Sequence, residues 1–215
     1  ISGKSTLLFR GNVDTSATRG GVGQLLLDPE YVLIASTGTD SFDGSTWTPS
    51  SSTLQTIAPA SINTLLGSNN LTLSASKGIT LGDTLSYTGN TVGRSLTMTS
   101  EATSGAKDGI IALGANINST SGPLNINLNG NVYLYNDATL NSNNGTITFN
   151  SNLGGASDKN LTIQTGSTGS LSVNANATAG FNGTYTSGVS TQTTTNNFIV
   201  SYDGSGTQTF FVNFK

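Results

Sequence analysis

The sequence has no cysteine, no histidine and few charged residues. Of its 215 residues only 9% are charged, with 8 Lys or Arg against 11 Asp or Glu and a formal net charge of -3. Without cysteine there is no disulfide and no thiol catalysis, and without histidine the commonest general base and metal ligand are missing. The scattered basic residues exclude the clustered Lys and Arg of a nucleic-acid interface. The sequence therefore predicts no cofactor, no metal site and no nucleic-acid partner.

Long apolar runs are missing as well. No stretch approaches the roughly 18 apolar residues of a membrane helix, so we expect no membrane insertion. Nothing at Ile1 has the form of a signal peptide. We interpret residues 1–215 as a single domain and as a fragment of a larger exoprotein.

Ser, Thr, Asn and Gly dominate what is present. Together they make up more than half of the chain, while 34% of the residues are apolar. Apolar residues recur in pairs two positions apart, usually with Thr, Asn or Tyr between them and a polar turn after them, which is typical of short, half-buried strands. The predicted strands contain Leu71/Leu73, Ile79/Leu81, Leu96/Met98, Val132/Leu134, Leu161/Ile163 and Leu171/Val173.

An internal repeat organises these strands. Residues 111–129 align with residues 134–152 at an offset of 23, which places Ile111 on Leu134, Ile117 on Leu140, Leu124 on Ile147 and Ile126 on Phe149. We therefore predict an all-β fold, a parallel β-helix (β-solenoid) of about 23-residue coils with inward apolar ladders. Asparagines at equivalent positions, Asn118/Asn141 and Asn127/Asn150, either hydrogen-bond between coils, adopt left-handed conformations or simply occupy turns.

Two segments interrupt the pattern. Residues 36–60 are polar and predict a projecting loop, and the stretch between Pro59 and Gly67 can hold one or two helical turns. Residues 196–214 predict a C-terminal hairpin around Asp203, which caps the last coil and protects its backbone groups.

The stretch "GNVDTSATRGGVGQLLLDPEYVLI", from Gly11 to Ile34, carries a family resemblance, continued in "PASINTLLGSNNLTLSAS". It resembles the passenger of filamentous haemagglutinin-like exoproteins, which include the high-molecular-weight adhesins of bacterial two-partner secretion. The resemblance implies a right-handed β-helix, export through an outer-membrane transporter barrel, a secreted or cell-surface location and a role in adhesion and virulence. The family's N-terminal secretion-recognition domain is not visible here.

Asn-X-Ser/Thr sequons also occur along the chain. Composition alone produces many of them in a Thr/Asn-rich sequence, but similarity to the high-molecular-weight adhesins implies that they are glycosylation sites. They begin at Asn70, Asn118, Asn144, Asn160, Asn176 and Asn182.

The number and spacing of acidic residues test the hypothesis that the chain is an enzyme. Polysaccharide-cleaving β-helices place several carboxylates on one face for acid/base work or calcium binding. Here Asp137 is the only acidic residue between residues 109 and 157. We expect no catalysis, with a polysaccharide-cleaving protein as the main alternative.

Aromatic residues are the best candidates for binding, because they combine apolar area with a polar group that suits sugar rings. Trp47 and Phe42 lie in the predicted loop, where Trp47 either contacts a glycan or packs back on the coil. Tyr133 and Tyr135 alternate with apolar residues and should point outward. The sequence thus predicts an adhesin segment that binds a host-cell glycan or glycoprotein receptor; a carbohydrate-binding protein of another kind and a passive stalk remain alternatives.

Overall fold

The computed structural model describes residues 13–36, 54–101, 109–156 and 159–173 in full, and the backbone of residues 9–10, 41–42, 46–48, 182–185 and 209–210. This part of the chain is mostly β, with one helix. In chain order the elements are β1 (Phe9–Arg10), β2 (Gln24–Leu27), β3 (Tyr31–Ile34), β4 (Ser41–Phe42), β5 (Thr46–Thr48), β6 (Leu54–Ile57), α1 (Pro59–Ser68), β7 (Asn70–Ala75), β8 (Gly78–Leu81), β9 (Leu85–Tyr87), β10 (Arg94–Ser100), β11 (Ile110–Leu113), β12 (Ile117–Ser119), β13 (Leu124–Asn129), β14 (Asn131–Leu134), β15 (Ala138–Asn141), β16 (Thr146–Phe149), β17 (Leu153–Gly155), β18 (Asn160–Gln164), β19 (Ser170–Val173), β20 (Asn182–Tyr185) and β21 (Thr209–Phe210).

Three parallel sheets make up most of the described structure. Sheet 1 has the order β2-β7-β10-β13-β16-β19-β21, sheet 2 the order β17-β14-β11-β8-β3-β6, and sheet 3 the order β20-β18-β15-β12-β9. From β7 to β18 the chain passes through sheets 1, 2 and 3 in turn, four times over. The strands β1, β5 and β4 form a fourth, antiparallel sheet.

The apolar residues of the three sheets alternate with polar ones, and the inward set forms one buried cluster. Every apolar pair that predicted a strand is buried in one. Because the pairing is parallel and in register, equivalent side chains stack on one another from strand to strand. One such ladder in sheet 1 contains Leu71, Leu96, Ile126, Ile147 and Leu171.

The repeat of 23 residues holds for two strand pairs of sheet 3, β12 with β15 and β15 with β18, and for β3 with β6 in sheet 2; it is wrong for every other described strand pair of the three sheets. Ile117 pairs with Leu140 as predicted. Ile111, however, pairs with Val132 and Ile126 with Ile147, each at an offset of 21. Compared with the second passage, β10 to β12, the third passage, β13 to β15, has two more residues between sheets 2 and 3 and two fewer between sheet 3 and the next strand of sheet 1. A shift of two residues keeps every side chain on the same face of a strand, so an ungapped alignment still superposes apolar on apolar residues.

The helix α1 lies beside the first strand of sheet 3, β9, and contacts it. Pro59 occupies the start of the helix, where the missing N–H costs nothing, and Ile62, Leu65 and Leu66 are buried. The helix is longer than the predicted one or two turns. In the described ranges no helix is long and apolar enough to cross a membrane, α1 being ten residues long.

The C-terminal end of α1 is held by two buried side chains. Arg94 is 4% exposed, and its Nε and Nη2 donate hydrogen bonds to the carbonyls of Leu66 (3.0 Å) and Gly67 (2.9 Å). Asn69 donates to the carbonyl of Leu65 (2.8 Å) and accepts from the backbone and hydroxyl of Thr15. These bonds satisfy the carbonyls that a helix end leaves without intrahelical partners.

The two predicted interruptions are only partly described. Residues 54–60 of the predicted projecting loop form β6, which pairs with β3, and the start of α1. Residues 41–42 and 46–48 form β4 and β5. Of the predicted hairpin 196–214, only Thr209–Phe210 is described, and its backbone pairs in parallel with β19. The rest of both segments lies outside the described residues.

Candidate functional site

The outer face of sheet 2 carries a groove that runs across its strands from β6 to β14. Its two walls come from β3, with Leu54 of β6 beside it, and from β14, and its floor comes from β8 and β11. One row of the register joins Tyr31, Gly78 and Ile110, and the next joins Leu33, Thr80, Ala112 and Tyr133. The groove encloses about 360 Å³. We call it the tyrosine groove and define it by Tyr31, Gly78, Thr80, Ala112, Tyr133 and Tyr135.

The first wall of the tyrosine groove is Tyr31, with Lys77 at its rim. The Lys77 Nζ lies 5.5 Å from the centre of the Tyr31 ring and forms an ion pair with Glu30. Gly78 lies beside Tyr31 in the sheet, and a Cβ there would lie 3.8 Å from Cδ1 of the ring and 3.3 Å from the Ile110 carbonyl oxygen. The absence of a side chain at Gly78 therefore keeps the floor open next to the ring.

The second wall consists of Tyr133 and Tyr135. Tyr133 points outward from β14 and is 44% exposed. Tyr135 follows the end of β14 and is partly buried; its hydroxyl donates to the carbonyl of Leu81 at 3.2 Å. A Cβ on Gly114 would lie 2.0 Å from Cζ of Tyr135, so the ring lies directly over this glycine. Tyr133 thus presents an exposed ring on the outer face, whereas the Tyr135 ring is held in the wall by its hydrogen bond and its contact with Gly114.

Asp83 supplies a negative charge near the Tyr135 end of the tyrosine groove. Ser36 donates to the Asp83 carboxylate from its backbone N–H (2.5 Å) and its hydroxyl (2.6 Å). These two bonds lower the pKa of Asp83 below its ordinary value, so this carboxylate is ionised at neutral pH. Burial of the ring, and then the nearby Asp83 charge, raise the pKa of Tyr135. Tyr135 is therefore a neutral phenol at neutral pH.

The outer face of sheet 1 is polar and uncharged but forms hydrogen bonds within itself. A row in register contains Thr72, Thr97, Asn127, Thr148 and Ser172. The Asn127 amide donates to the Thr97 hydroxyl at 3.3 Å, and the neighbouring Asn150 amide donates to Asn129 at 2.7 Å. Because these groups satisfy one another across the strands, sheet 2 offers the better binding face.

The two aromatic residues predicted in the loop fall in the small antiparallel sheet. Phe42 lies on β4 and Trp47 on β5, and their backbones are paired with each other. Their side chains lie outside the described part of the chain, so the structure does not bring them to the tyrosine groove or separate them from it.

The asparagines of the sequons differ in the hydrogen bonds that their side-chain amides form. The Asn70 amide donates to the Val22 carbonyl and its oxygen accepts from the backbone of Ser95. Asn144 has a positive φ of 74° and accepts from the backbone of Thr168, while Asn160 donates to the Asp137 carboxylate. Asn118 pairs with Asn141 in sheet 3, as predicted. Asn182 is described only as backbone of β20, and Asn176 lies outside the described residues.

Carboxylates do not gather on any described face of the sheets. Across the residues described in full, no three Asp or Glu side chains lie together as ligands for a metal ion. Asp83 is engaged by Ser36, Asp137 by Asn160 and Glu30 by Lys77.

Sequence reasoning found one wall of the tyrosine groove and missed the other. Tyr133 and Tyr135 stand out because they alternate with Val132 and Leu134, but Tyr31 lies 102 residues before Tyr133 in the chain. The alternation of Tyr31 with Val32 was a signal that could have placed Tyr31 outward. Only the register of β3, β8, β11 and β14 brings the two walls together.

Comparisons with protein-family models, with curated proteins and with solved structures find no match to this chain. A function for it is therefore argued from its own residues and their geometry.

Proposed function

We propose that the chain is a segment of a secreted bacterial adhesin, built as a right-handed parallel β-helix, that binds a host-cell glycan or glycoprotein and catalyses no reaction. The observation that carries this proposal is the tyrosine groove on the outer face of sheet 2. It combines an exposed aromatic ring, a floor in which Gly78, Thr80 and Ala112 are small, and a sheet beneath, which is a suitable arrangement for stacking against a sugar.

The β-helical architecture is supported by the way the chain passes through the sheets. Successive strands of one sheet are parallel and are separated by passages through the other two. Crossover connections between parallel strands of one sheet favour the right-handed sense, and the sequence resemblance implies the same hand. Stacked ladders of apolar side chains make such a scaffold stiff, so that its outer faces hold binding groups in fixed positions.

Secretion and surface location are part of the same proposal and come from the sequence. The stretch Gly11–Ile34 resembles the two-partner secretion passengers, which pass through an outer-membrane transporter barrel. The absence of His and Cys and the spread of the acidic residues support binding rather than catalysis.

Glycosylation at the sequons is a further part of the proposal, tested by the intact mass of the natively produced protein. A sugar on the Asn70 Nδ2 would have to fit where this nitrogen donates to the Val22 carbonyl, on a side chain whose oxygen also accepts from the backbone of Ser95. We therefore expect modified peptides at other sequons and an unmodified Asn70. A mass equal to that of the bare chain contradicts this part.

The experiment that tests the function is binding of purified, unmodified 1–215 to a mixed glycan array. Tyr133→Ala removes the exposed ring, Trp47→Ala removes the loop candidate, and Val92→Ala is the control, because Val92 is 53% exposed and lies outside the tyrosine groove. We expect selective binding that Tyr133→Ala abolishes and Val92→Ala retains. Loss only in Trp47→Ala would place the site in the 36–60 segment, and silence on the array would favour a passive stalk or a protein receptor.

A further inference from the structure

We propose that the tyrosine groove takes an uncharged, extended oligosaccharide of about four sugar units, laid across the strands with one end on Tyr31 and the other on Tyr133. This inference rests on the proposed function and specifies the class of glycan and its orientation.

The length follows from the register of sheet 2. Tyr31 is on β3 and Tyr133 is on β14, with β8 and β11 between them. Tyr133 lies two residues further along β14 than Asn131, the residue in register with Tyr31, so three strand steps and this offset separate the two Cα positions by about 16 Å. One strand step is close to the length that one pyranose adds to an extended chain, so four strands correspond to four sugars.

The orientation follows from the floor of the tyrosine groove. The outward residues of β8 are Gly78 and Thr80, and those of β11 are Ile110, in the row of Tyr31, and Ala112, in the row of Tyr133. Gly78, Thr80 and Ala112 are no larger than threonine and form a diagonal line from Tyr31 to Tyr133, while Ile110 lies beside this line. A ligand that runs across the strands therefore lies on a low path between two aromatic walls.

The rings of Tyr31 and Tyr133 differ in their exposure and in the groups that surround them. Tyr133 is the more open platform, at 44% exposed, and stands at the far end of the path. Tyr31 carries the Lys77 ammonium 5.5 Å from the centre of its ring, so a sugar stacked there also meets N–H donors suited to hydroxyl groups. Aromatic faces recognise the apolar C–H face of a sugar, and the hydroxyl of Thr80 lies between the two ends.

The absence of charge on the ligand follows from the charges around the tyrosine groove. Lys77 is paired with Glu30, so the two charges cancel at the Tyr31 end. Asp83, held ionised by Ser36, adds a negative charge near Tyr135. These three groups sum to a charge of minus one, with no uncompensated cation among them. An acidic sugar would be repelled there, whereas hydroxyl groups are accepted.

The test uses purified 1–215 and linear oligosaccharides of two to six units. The neutral probes are cello-, chito-, xylo- and malto-oligosaccharides, and a hexuronate series supplies the acidic probes. For the best neutral series we expect affinity to rise up to four units and then level off, with the acidic probes at least tenfold weaker. Tyr31→Ala and Tyr133→Ala should each weaken binding of the tetrasaccharide at least tenfold, while Val92→Ala leaves it unchanged.

A charge variant tests the selectivity separately. Glu30→Gln leaves the backbone contact between Glu30 and Lys77 in place and removes the negative charge next to the Lys77 ammonium. We expect this variant to narrow the gap between neutral and acidic probes to about threefold. No change in that gap would overturn the charge argument.

The outcomes separate this inference from the function itself. Two outcomes would overturn the inference and leave the adhesin function standing, provided that Tyr133→Ala still abolishes binding. One is tighter binding of acidic than of neutral sugars, and the other is affinity that stops rising at one or two sugar units. Binding that survives both tyrosine substitutions would move the site away from the tyrosine groove. Absence of binding to every glycan in this set and on the mixed array would overturn both this inference and glycan binding by the chain, and would leave a protein receptor or a passive stalk.

Discussion

Arg94 is a buried cation whose removal tests how α1 is attached to the sheets. The guanidinium donates to the carbonyls of Leu66 and Gly67 at the end of the helix and to Gly93 at 3.2 Å. Its charge also lies where the helix dipole favours a cation. Arg94→Met keeps an apolar stem of similar length but removes the charge and all three bonds.

The expected magnitude follows from what is left behind. The Gly67 carbonyl keeps a bond from the Asn90 amide at 3.2 Å, and Gly93 is exposed, so that water can replace its lost bond. The Leu66 carbonyl is therefore the buried group that loses its Arg94 partner in this variant. Leaving a buried carbonyl unsatisfied costs about 1–3 kcal/mol, and losing the cation at the helix end costs up to about 2 kcal/mol more. We therefore expect Arg94→Met to lower the free energy of unfolding by about 2–4 kcal/mol. Arg94→Lys should lower it by less, because lysine keeps the positive charge but lacks the several N–H donors of the guanidinium.

The assay is urea unfolding of 1–215 followed by far-ultraviolet circular dichroism, comparing midpoint and slope. Arg19→Met is the matched control, since Arg19 is exposed, and should change stability by less than about 0.5 kcal/mol. Replacing a buried charge by an apolar side chain is sometimes neutral or stabilising, because desolvation outweighs the bonds. An Arg94→Met protein as stable as the parent, or more stable, would refute our reasoning.

Three further predictions concern Gly114, Gly67 and Asp83. Gly114→Ala places a methyl group 2.0 Å from Cζ of Tyr135, and we expect overpacking to cost about 1–3 kcal/mol in urea unfolding; unchanged stability would show that the ring moves aside freely. Gly67→Ala, whose Cβ meets no atom within 4 Å in α1, should stabilise by about 0.5–1 kcal/mol in the same assay, and a loss of stability would contradict this. The lowered pKa of Asp83 means that its contribution to stability is present above the unfolded pKa and lost as pH falls through the folded one. NMR titration should show this pKa rising in Ser36→Ala, and an unmoved midpoint would assign the shift to another cause.

Much of the local structure could be predicted from the sequence. Apolar pairs two residues apart predicted strands because the side chains of a strand alternate between its faces, and every such pair proved to be buried. Pro59 marked the start of α1 because proline suits the first helical position. The outward direction of Tyr133 followed from the same alternation.

The long-range arrangement could not be predicted in this way. The register between neighbouring strands joins residues 21 apart, as for Ile111 and Val132, or 30 apart, as for Leu96 and Ile126. Local periodicity does not encode these lengths, because an insertion in a turn leaves the alternation of the strands unchanged. The placement of β6 next to β3 and the burial of Arg94 were likewise beyond the reach of sequence pattern.

Alternation over short segments was enough to identify many of the strands and their inward side chains, since both depend on neighbours two positions away. That Tyr31 and Tyr133 line the same groove follows from the three-dimensional fold and not from any local pattern. The physical reason is that parallel pairing stacks strands from distant parts of the chain, and the surface they share depends on a register that turn lengths set.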